Sequence, residues 1–183
     1  ALTSSQVTQL YEEVQCPCTT NTIGYSVDAI GSTTNTSTVA YYKLDGNAYD
    51  ATANANNGTW GGTESYAVSP YGVAGVFNGT ASASRSKITT SGLTTYNTFS
   101  ISFWANPDDV NSTRLVMGTS DTFATQTGFG VFFGLTGNGN LTCRVSNGSS
   151  TVDLEKSSIS TGNWYHIVIT QNISNNEKNL YVN

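Results

Sequence analysis

Charged side chains are scarce in this sequence. Of 183 residues, 7 are Lys or Arg and 12 are Asp or Glu, together 10% of the chain, against about 25% in ordinary soluble domains. The basic residues are dispersed and the formal net charge is −5. Because proteins that bind nucleic acid cluster Lys and Arg against the phosphates, we expect no nucleic-acid partner.

Long apolar runs are also missing. No segment approaches the about 20 apolar residues that a membrane-spanning helix needs. The first residues contain neither the basic nor the apolar part of a secretion signal. We therefore expect no membrane span.

Cysteine and histidine, the residues most used in metal and catalytic sites, are rare. Cys16 and Cys18 are separated by one proline, which lacks the two-residue spacer of zinc knuckles, and no second pair follows. Either Cys16 or Cys18 bridges Cys143, or the thiols are unpaired, and both alternatives remain open. His166, the one histidine, lies in an alternating strand pattern without a nearby acid, so we interpret it as structural.

What the chain does contain is Ser, Thr, Asn and Gly, with 11% aromatic residues, a composition that suits pleated strands and tight turns. Residues 98–105 alternate apolar and polar side chains, which predicts a strand with one buried and one exposed face. Turn-punctuated β-rich runs predict ten strands in all, at 39–44, 73–77, 86–88, 98–105, 114–117, 128–135, 140–145, 151–154, 163–170 and 178–182.

One helix is predicted, over residues 1–14. Val7, Leu10, Tyr11 and Val14 share a face, and Thr3 is a suitable N-cap. Residues 15–37 lack periodicity and are interpreted as a linker.

Five segments carry a family resemblance. They occur in the order VAYYKLDGNAYDATANANNGTW, GVAGVFNGT, FSISFWANP, STGNWYHIVITQN and KNLYVN, within residues 39–183. Together they resemble the concanavalin A-like, laminin G-like jelly roll. The resemblance implies an all-β fold, an antiparallel two-sheet jelly-roll sandwich, here with a short N-terminal helix and linker.

The resemblance also predicts a domain organisation. Residues 1–14 resemble the segment with which such domains end, so they are either the helical tail of a preceding repeat or a helix packing on the sandwich. Residues 15–37 are the linker, and 38–183 are a jelly roll that lacks its usual C-terminal strands. Tandem repeats are what the resemblance implies.

Calcium is the cofactor that the resemblance raises, and we expect no other. The loop after Asn78, often acidic in related domains, has no carboxylate here. A different loop offers oxygen ligands of the kind calcium prefers, although Asp and Asn also occupy ordinary turns. The candidate ligands are Asp45, Asn47 and Asp50, with Asn54 nearby.

Catalysis is not expected. Glucanases of this architecture need paired carboxylates projected from one strand. Asp153 and Glu155 are two apart on a predicted strand, but no third acid follows. Trp60, Trp104 and Trp164 are expected to have a packing role, the alternative being an exposed aromatic on the concave face that stacks on a sugar ring.

The sequence thus favours a non-enzymatic structural or adhesive module of an exposed surface assembly, such as a virion fibre, spike or decoration protein. The alternative is a carbohydrate-binding, lectin-like module of an extracellular bacterial protein. Expected partners are other copies or neighbouring repeats of the same assembly, and glycans. The expected location is extracellular or on a virion surface.

Overall fold

The computed structural model of the protein describes residues 38–79, 86–91, 93, 98–119, 127–147, 149–172 and 177–183. The predicted helix and linker lie outside these residues. The described chain is all-β, and each of its strand pairs is antiparallel. Within it, no helix has the length and apolar character of a membrane span.

The strands follow one another in two compact units, which divide between Leu93 and Thr94. In chain order, the strands of the first unit are β1 (Gly58–Gly61), β2 (Tyr66–Ser69), β3 (Gly72–Gly75) and β4 (Lys87–Thr90). Those of the second are β5 (Thr98–Ala105), β6 (Arg114–Gly118), β7 (Thr127–Phe133), β8 (Leu141–Asn147), β9 (Thr151–Lys156), β10 (Tyr165–Asn172) and β11 (Glu177–Val182).

The first unit contains two small sheets, β1 with β4 and β2 with β3. Trp60 packs between aromatic neighbours: its ring stacks on Phe77 at a centroid distance of 5.0 Å, and its Nε1–H donates to the Tyr66 hydroxyl at 2.8 Å. The expected packing of Trp60 is therefore confirmed.

The prediction of a strand at residues 39–44 is wrong. This segment forms a single β-bridge, between Tyr42 and Asp50. Leu44 has φ 57° and Gly46 has φ 117°, and left-handed conformations of this kind interrupt the extended backbone that a strand requires.

Asp50 organises this irregular loop. Its Oδ1 accepts hydrogen bonds from the backbone N–H groups of Tyr41 and Thr52, both at 2.9 Å. Its Oδ2 accepts from the Thr52 hydroxyl at 2.8 Å and from the Asn56 N–H at 2.9 Å. Burial favours the neutral acid, but the hydrogen bonds from Tyr41, Thr52 and Asn56 outweigh it, so the pKa of Asp50 lies below its ordinary value.

Neighbouring asparagines complete the loop. The Asn54 and Asn56 amides donate to the Val39 carbonyl at 2.9 and 3.1 Å. Asn57 Oδ1 accepts the Asp50 N–H at 3.0 Å. The loop is therefore held by side chain to backbone bonds in place of a strand ladder.

The second unit is a β-sandwich. One sheet has the order β11-β10-β5 and the other the order β6-β7-β8-β9. Ile167 and Ile169 of β10 contribute to the same core cluster as Val131 of β7 and Leu141 of β8. Ile167, Val131 and Leu141 are fully enclosed, and each such side chain contributes about 1.5–3 kcal/mol relative to exposure.

The alternation predicted for residues 98–105 is confirmed. The inward residues Phe99, Phe103 and Ala105 pack against the core cluster. The alternate residues Thr98, Ser100, Ser102 and Trp104 are exposed. Register places Phe103 opposite Ile167 of β10.

Cys143 lies inside this core with a free thiol and 2% exposure. Cys16 and Cys18, the two partners considered for a bridge, lie outside the described chain. Burial, followed by the charge of Asp153, raises the pKa of Cys143 to about 11. The thiol behaves as a small apolar side chain.

Replacing Asp50 by Asn is expected to destabilise the fold by about 2 kcal/mol at pH 7, because the new amide cannot accept the Asn56 N–H and the charge-assisted bonds are lost. The pKa of Asp50 lies below its ordinary 3.8, so its contribution is complete above that value and disappears as pH falls through the folded-state pKa. Urea unfolding followed by circular dichroism should therefore show a wild-type advantage that shrinks on acidification. Asp45→Asn, an exposed carboxylate of the same loop, is the control, and an advantage independent of pH contradicts this account.

Cys143 should be unreactive in the folded protein. In a Cys16→Ser, Cys18→Ser background it is the sole thiol, and both its burial and its raised pKa oppose formation of the reactive thiolate. An aromatic disulfide reagent at pH 8 should label it only after unfolding. Equal labelling rates with and without denaturant would refute the buried placement.

Candidate functional site

The outer face of the three-stranded sheet is the most distinctive surface of the second unit. Cross-strand register arranges its side chains in four rows. The rows are Trp104 with His166, then Ser102 with Val168 and Tyr181, then Ser100 with Thr170 and Asn179, and finally Thr98 with Asn172 and Glu177. At ordinary strand spacings this surface, here called the outer face, is about 10 Å wide and about 20 Å long.

One end of the outer face is aromatic. The rings of Trp104 and His166 stack with centroids 5.0 Å apart and 25° between their planes. Ser102 Oγ and His166 Nε2 are hydrogen-bonded at 2.8 Å. Trp104 is 45% exposed, so nearly half of its surface remains accessible while the ring stacks on His166.

Tyr181 extends this aromatic end across the sheet. It is 56% exposed and lies opposite Val168 of β10, which in turn lies opposite Ser102 of β5. Three large side chains, Trp104, Val168 and Tyr181, therefore share one surface that is otherwise polar.

The other end of the outer face carries neutral hydrogen-bonding groups. The Asn179 amide donates to the Thr170 hydroxyl at 3.3 Å, and the Thr98 hydroxyl donates to Asn172 Oδ1 at 3.4 Å. Among the residues of the four rows, Glu177 alone carries a full charge at neutral pH. The face therefore combines ring surfaces with groups that both donate and accept hydrogen bonds.

In the described part of the chain, the His166 ring forms one side-chain hydrogen bond and one ring stack. A Ser–His pair becomes a nucleophile and base when a third group orients the imidazole. The side-chain contacts of His166 in the described chain are the Ser102 hydroxyl and the Trp104 ring. His166 thus packs against the exposed indole, and its structural role stays a prediction.

A concave surface lies in the loop of the first unit. It is a shallow pocket with a cavity volume of about 260 Å³. Its lining residues are Lys43, Asp45, Asn47, Tyr49 and Ala51.

The structure separates the three calcium candidates. Asp45 and Asn47 line this pocket, whereas Asp50 is buried and its carboxylate accepts four hydrogen bonds within the loop. Four donors occupy the about four lone-pair sites of a carboxylate. Among the described residues no group of three or more His, Cys, Asp or Glu side chains is placed to hold a metal ion. Calcium at Asp45 and Asn47 stays a prediction.

The two acids considered for catalysis have different surroundings. Asp153 forms a two-point ion pair with Arg144 of β8, with both oxygen to nitrogen distances at 2.7 Å. The Asp153 hydrogen bond is the main cause that raises the pKa of Arg144. Glu155 is exposed on the same strand. Asp153 is therefore committed to a cross-strand pair.

Trp104 departs from the packing expected for all three tryptophans, since it is nearly half exposed. The apolar and polar alternation in FSISFW places Trp104 in phase with Ser100 and Ser102. This position in the alternation indicates that the Trp104 side chain is exposed. Its stacking on His166 depends on cross-strand register, which the alternation does not encode.

Comparison with known families decides the relationship. Residues 78–183, more than half of the chain, match the family described as Laminin G, concanavalin A-like lectin/glucanases superfamily. The chain belongs to this superfamily. Its description names both lectins and glucanases, so the laminin G-like assignment supports the β-sandwich and leaves binding and cleavage to be argued from the residues.

No curated protein and no solved structure matches the laminin G-like chain. The family match begins at Asn78 and contains all strands of the outer face. The pocket at residues 43–51 precedes the matched range.

Proposed function

We propose that this protein is a non-catalytic adhesive module that binds glycans through the outer face. The observation that carries the proposal is the half-exposed indole of Trp104, held upright against His166 and surrounded by hydroxyl and amide groups. A ring fixed in this way loses little conformational entropy when a ligand binds to it.

Sugar chemistry matches the outer face in two respects. The C–H faces of a pyranose ring are apolar and pack on aromatic rings, as they would on the exposed part of the Trp104 indole. Sugar hydroxyls both donate and accept hydrogen bonds, as do the side chains of Ser100, Ser102 and Thr170. A face of about 20 Å accommodates several consecutive sugar units.

The charge of the outer face favours neutral glycans. Glu177 is its one fully charged residue, and the whole chain carries a net charge of −5. Sulfated or uronic-acid polymers would meet no compensating cation on this surface and would be repelled by the overall field. We therefore place neutral polysaccharides first among ligands.

The surroundings of the acids support a non-catalytic role. Glycoside hydrolysis canonically uses two carboxylates that flank the scissile bond. Asp153 is held by Arg144 at two points, and the outer face carries one carboxylate, Glu177. Binding without turnover is the expected activity.

The same surface chemistry supports a wider role for the protein. We propose that it is a component of an exposed assembly such as a virion fibre, spike or decoration protein, or of an extracellular bacterial protein. With 10% charged residues, the chain relies on neutral polar side chains for contact with water. Trp and Tyr surrounded by Ser, Thr and Asn are also typical of protein-binding surfaces. Docking of other copies or neighbouring repeats on Val168 and Tyr181 is therefore the second candidate.

Trp104→Ala should weaken binding of neutral polysaccharides at least about tenfold, since loss of one buried aromatic contact costs on the order of 1.5–3 kcal/mol. Affinity electrophoresis in gels containing soluble β-glucan, mannan, galactan or starch measures this directly. Trp104→Phe should retain part of the affinity.

Tyr71→Ala removes a side chain that is 61% exposed in the first unit and serves as the matched control. Wild-type migration unchanged by all four polymers, or equal retardation of wild type and Trp104→Ala, argues against the outer face as a glycan site. Release of reducing ends would show that the protein is an enzyme.

A further inference from the structure

We infer that the first unit carries a separate site for a single neutral sugar ring, in the pocket lined by residues 43 to 51. This site is independent of the outer face and lies before the residues that match the family. It therefore extends the proposed function without depending on it.

The pocket forms because successive side chains of an extended but kinked segment point to opposite sides. The odd-numbered residues Lys43, Asp45, Asn47, Tyr49 and Ala51 line the pocket. The even-numbered Ala48 and Asp50 are buried on the other side, at 3% and 8% exposure. The two kinks at residues 44 and 46 curve this row, so that the odd-numbered side chains surround one hollow.

The pocket is held in shape from behind. Asp50 fixes the backbone of Tyr41, Thr52 and Asn56 through four hydrogen bonds. The Gly58 N–H donates to the Ala48 carbonyl at 2.8 Å, which joins the loop to β1. Preorganisation of this kind lowers the entropic cost of binding a small ligand.

The side chains that line the pocket include a positive and a negative charge, and they include both donors and acceptors of hydrogen bonds. Asn47 Oδ1 accepts the Tyr49 N–H at 2.9 Å, which leaves the Asn47 amide group as a donor. Lys43 adds an ammonium donor and Asp45 a carboxylate acceptor. Tyr49 contributes a ring that is 65% exposed.

These groups specify the ligand class. The charges of Lys43 and Asp45 cancel, which favours a neutral ligand. A carboxylate accepts from adjacent hydroxyls, the two donors reach ring or hydroxyl oxygens, and the Tyr49 ring covers an apolar ring face. The volume of about 260 Å³ lies below the about 300–1,000 Å³ of sites for drug-sized ligands, which suits one pyranose ring.

A calcium ion fits the same pocket less well. Calcium takes 6–8 oxygen ligands, whereas the carboxylate of Asp50 is already saturated and Asn47 Oδ1 already accepts a hydrogen bond. The Lys43 ammonium on the pocket wall would also repel a cation. A neutral polyol avoids both difficulties.

The test uses NMR titration of the full chain with four separate probes, the methyl glycosides of glucose, galactose, mannose and N-acetylglucosamine. At least one should shift the Asn47 side-chain amide and Tyr49 ring signals, with a Kd on the order of 1 mM. Tyr49→Ala and Asp45→Asn should each raise that Kd at least about tenfold. Tyr71→Ala, which removes an equally exposed ring from the same unit, should leave it unchanged.

Two cross-comparisons keep this site distinguishable from the outer face. Trp104→Ala should leave the monosaccharide Kd unchanged, and Tyr49→Ala should leave polysaccharide retardation unchanged. The inference is overturned if no probe moves the Asn47 and Tyr49 signals up to about 50 mM. It is equally overturned if the signals move with calcium alone, or if sugar binding disappears on chelation of calcium.

Discussion

Antiparallel register between β5 and β10 is the constraint on which the second unit depends. The side-chain period of a strand is two residues, so one register fixes both faces at once. Placing Phe103 opposite Ile167 in the core necessarily places Trp104 opposite His166 on the outside. The hydrophobic core and the aromatic end of the outer face are therefore two results of one pairing, and a slip of one residue would exchange their roles.

The sequence predicted the β-sandwich where its pattern was strictly alternating, as at residues 98–105, and where a turn residue bounded each strand. The strand prediction failed at residues 39–44. The left-handed backbone of Leu44 is a property of the folded loop, and the apolar residue types of this segment do not indicate it. The Trp104 and His166 stack was equally hidden, since it joins residues 62 positions apart whose meeting depends on register. A short stretch of sequence can indicate that a strand forms, but it does not indicate which distant strand pairs with it.

The Asp and Asn cluster of the first unit illustrates a second limit. From composition, Asp45, Asn47 and Asp50 were equivalent oxygen donors. In the structure Asp50 is an internal acceptor for the loop, while Asp45 and Asn47 border the pocket. What separates them is the direction of each side chain along a kinked segment. That direction is fixed by hydrogen bonds between side chains and the backbone, whose partners no residue type specifies on its own.

The near absence of full charges from the outer face has an environmental consequence. Salt weakens contacts between exposed ions within a Debye length of about 8 Å at physiological ionic strength, but it has little to screen where rings, hydroxyls and amides make the contact. An attachment formed on such a surface would hold almost equally in fresh water and in brine.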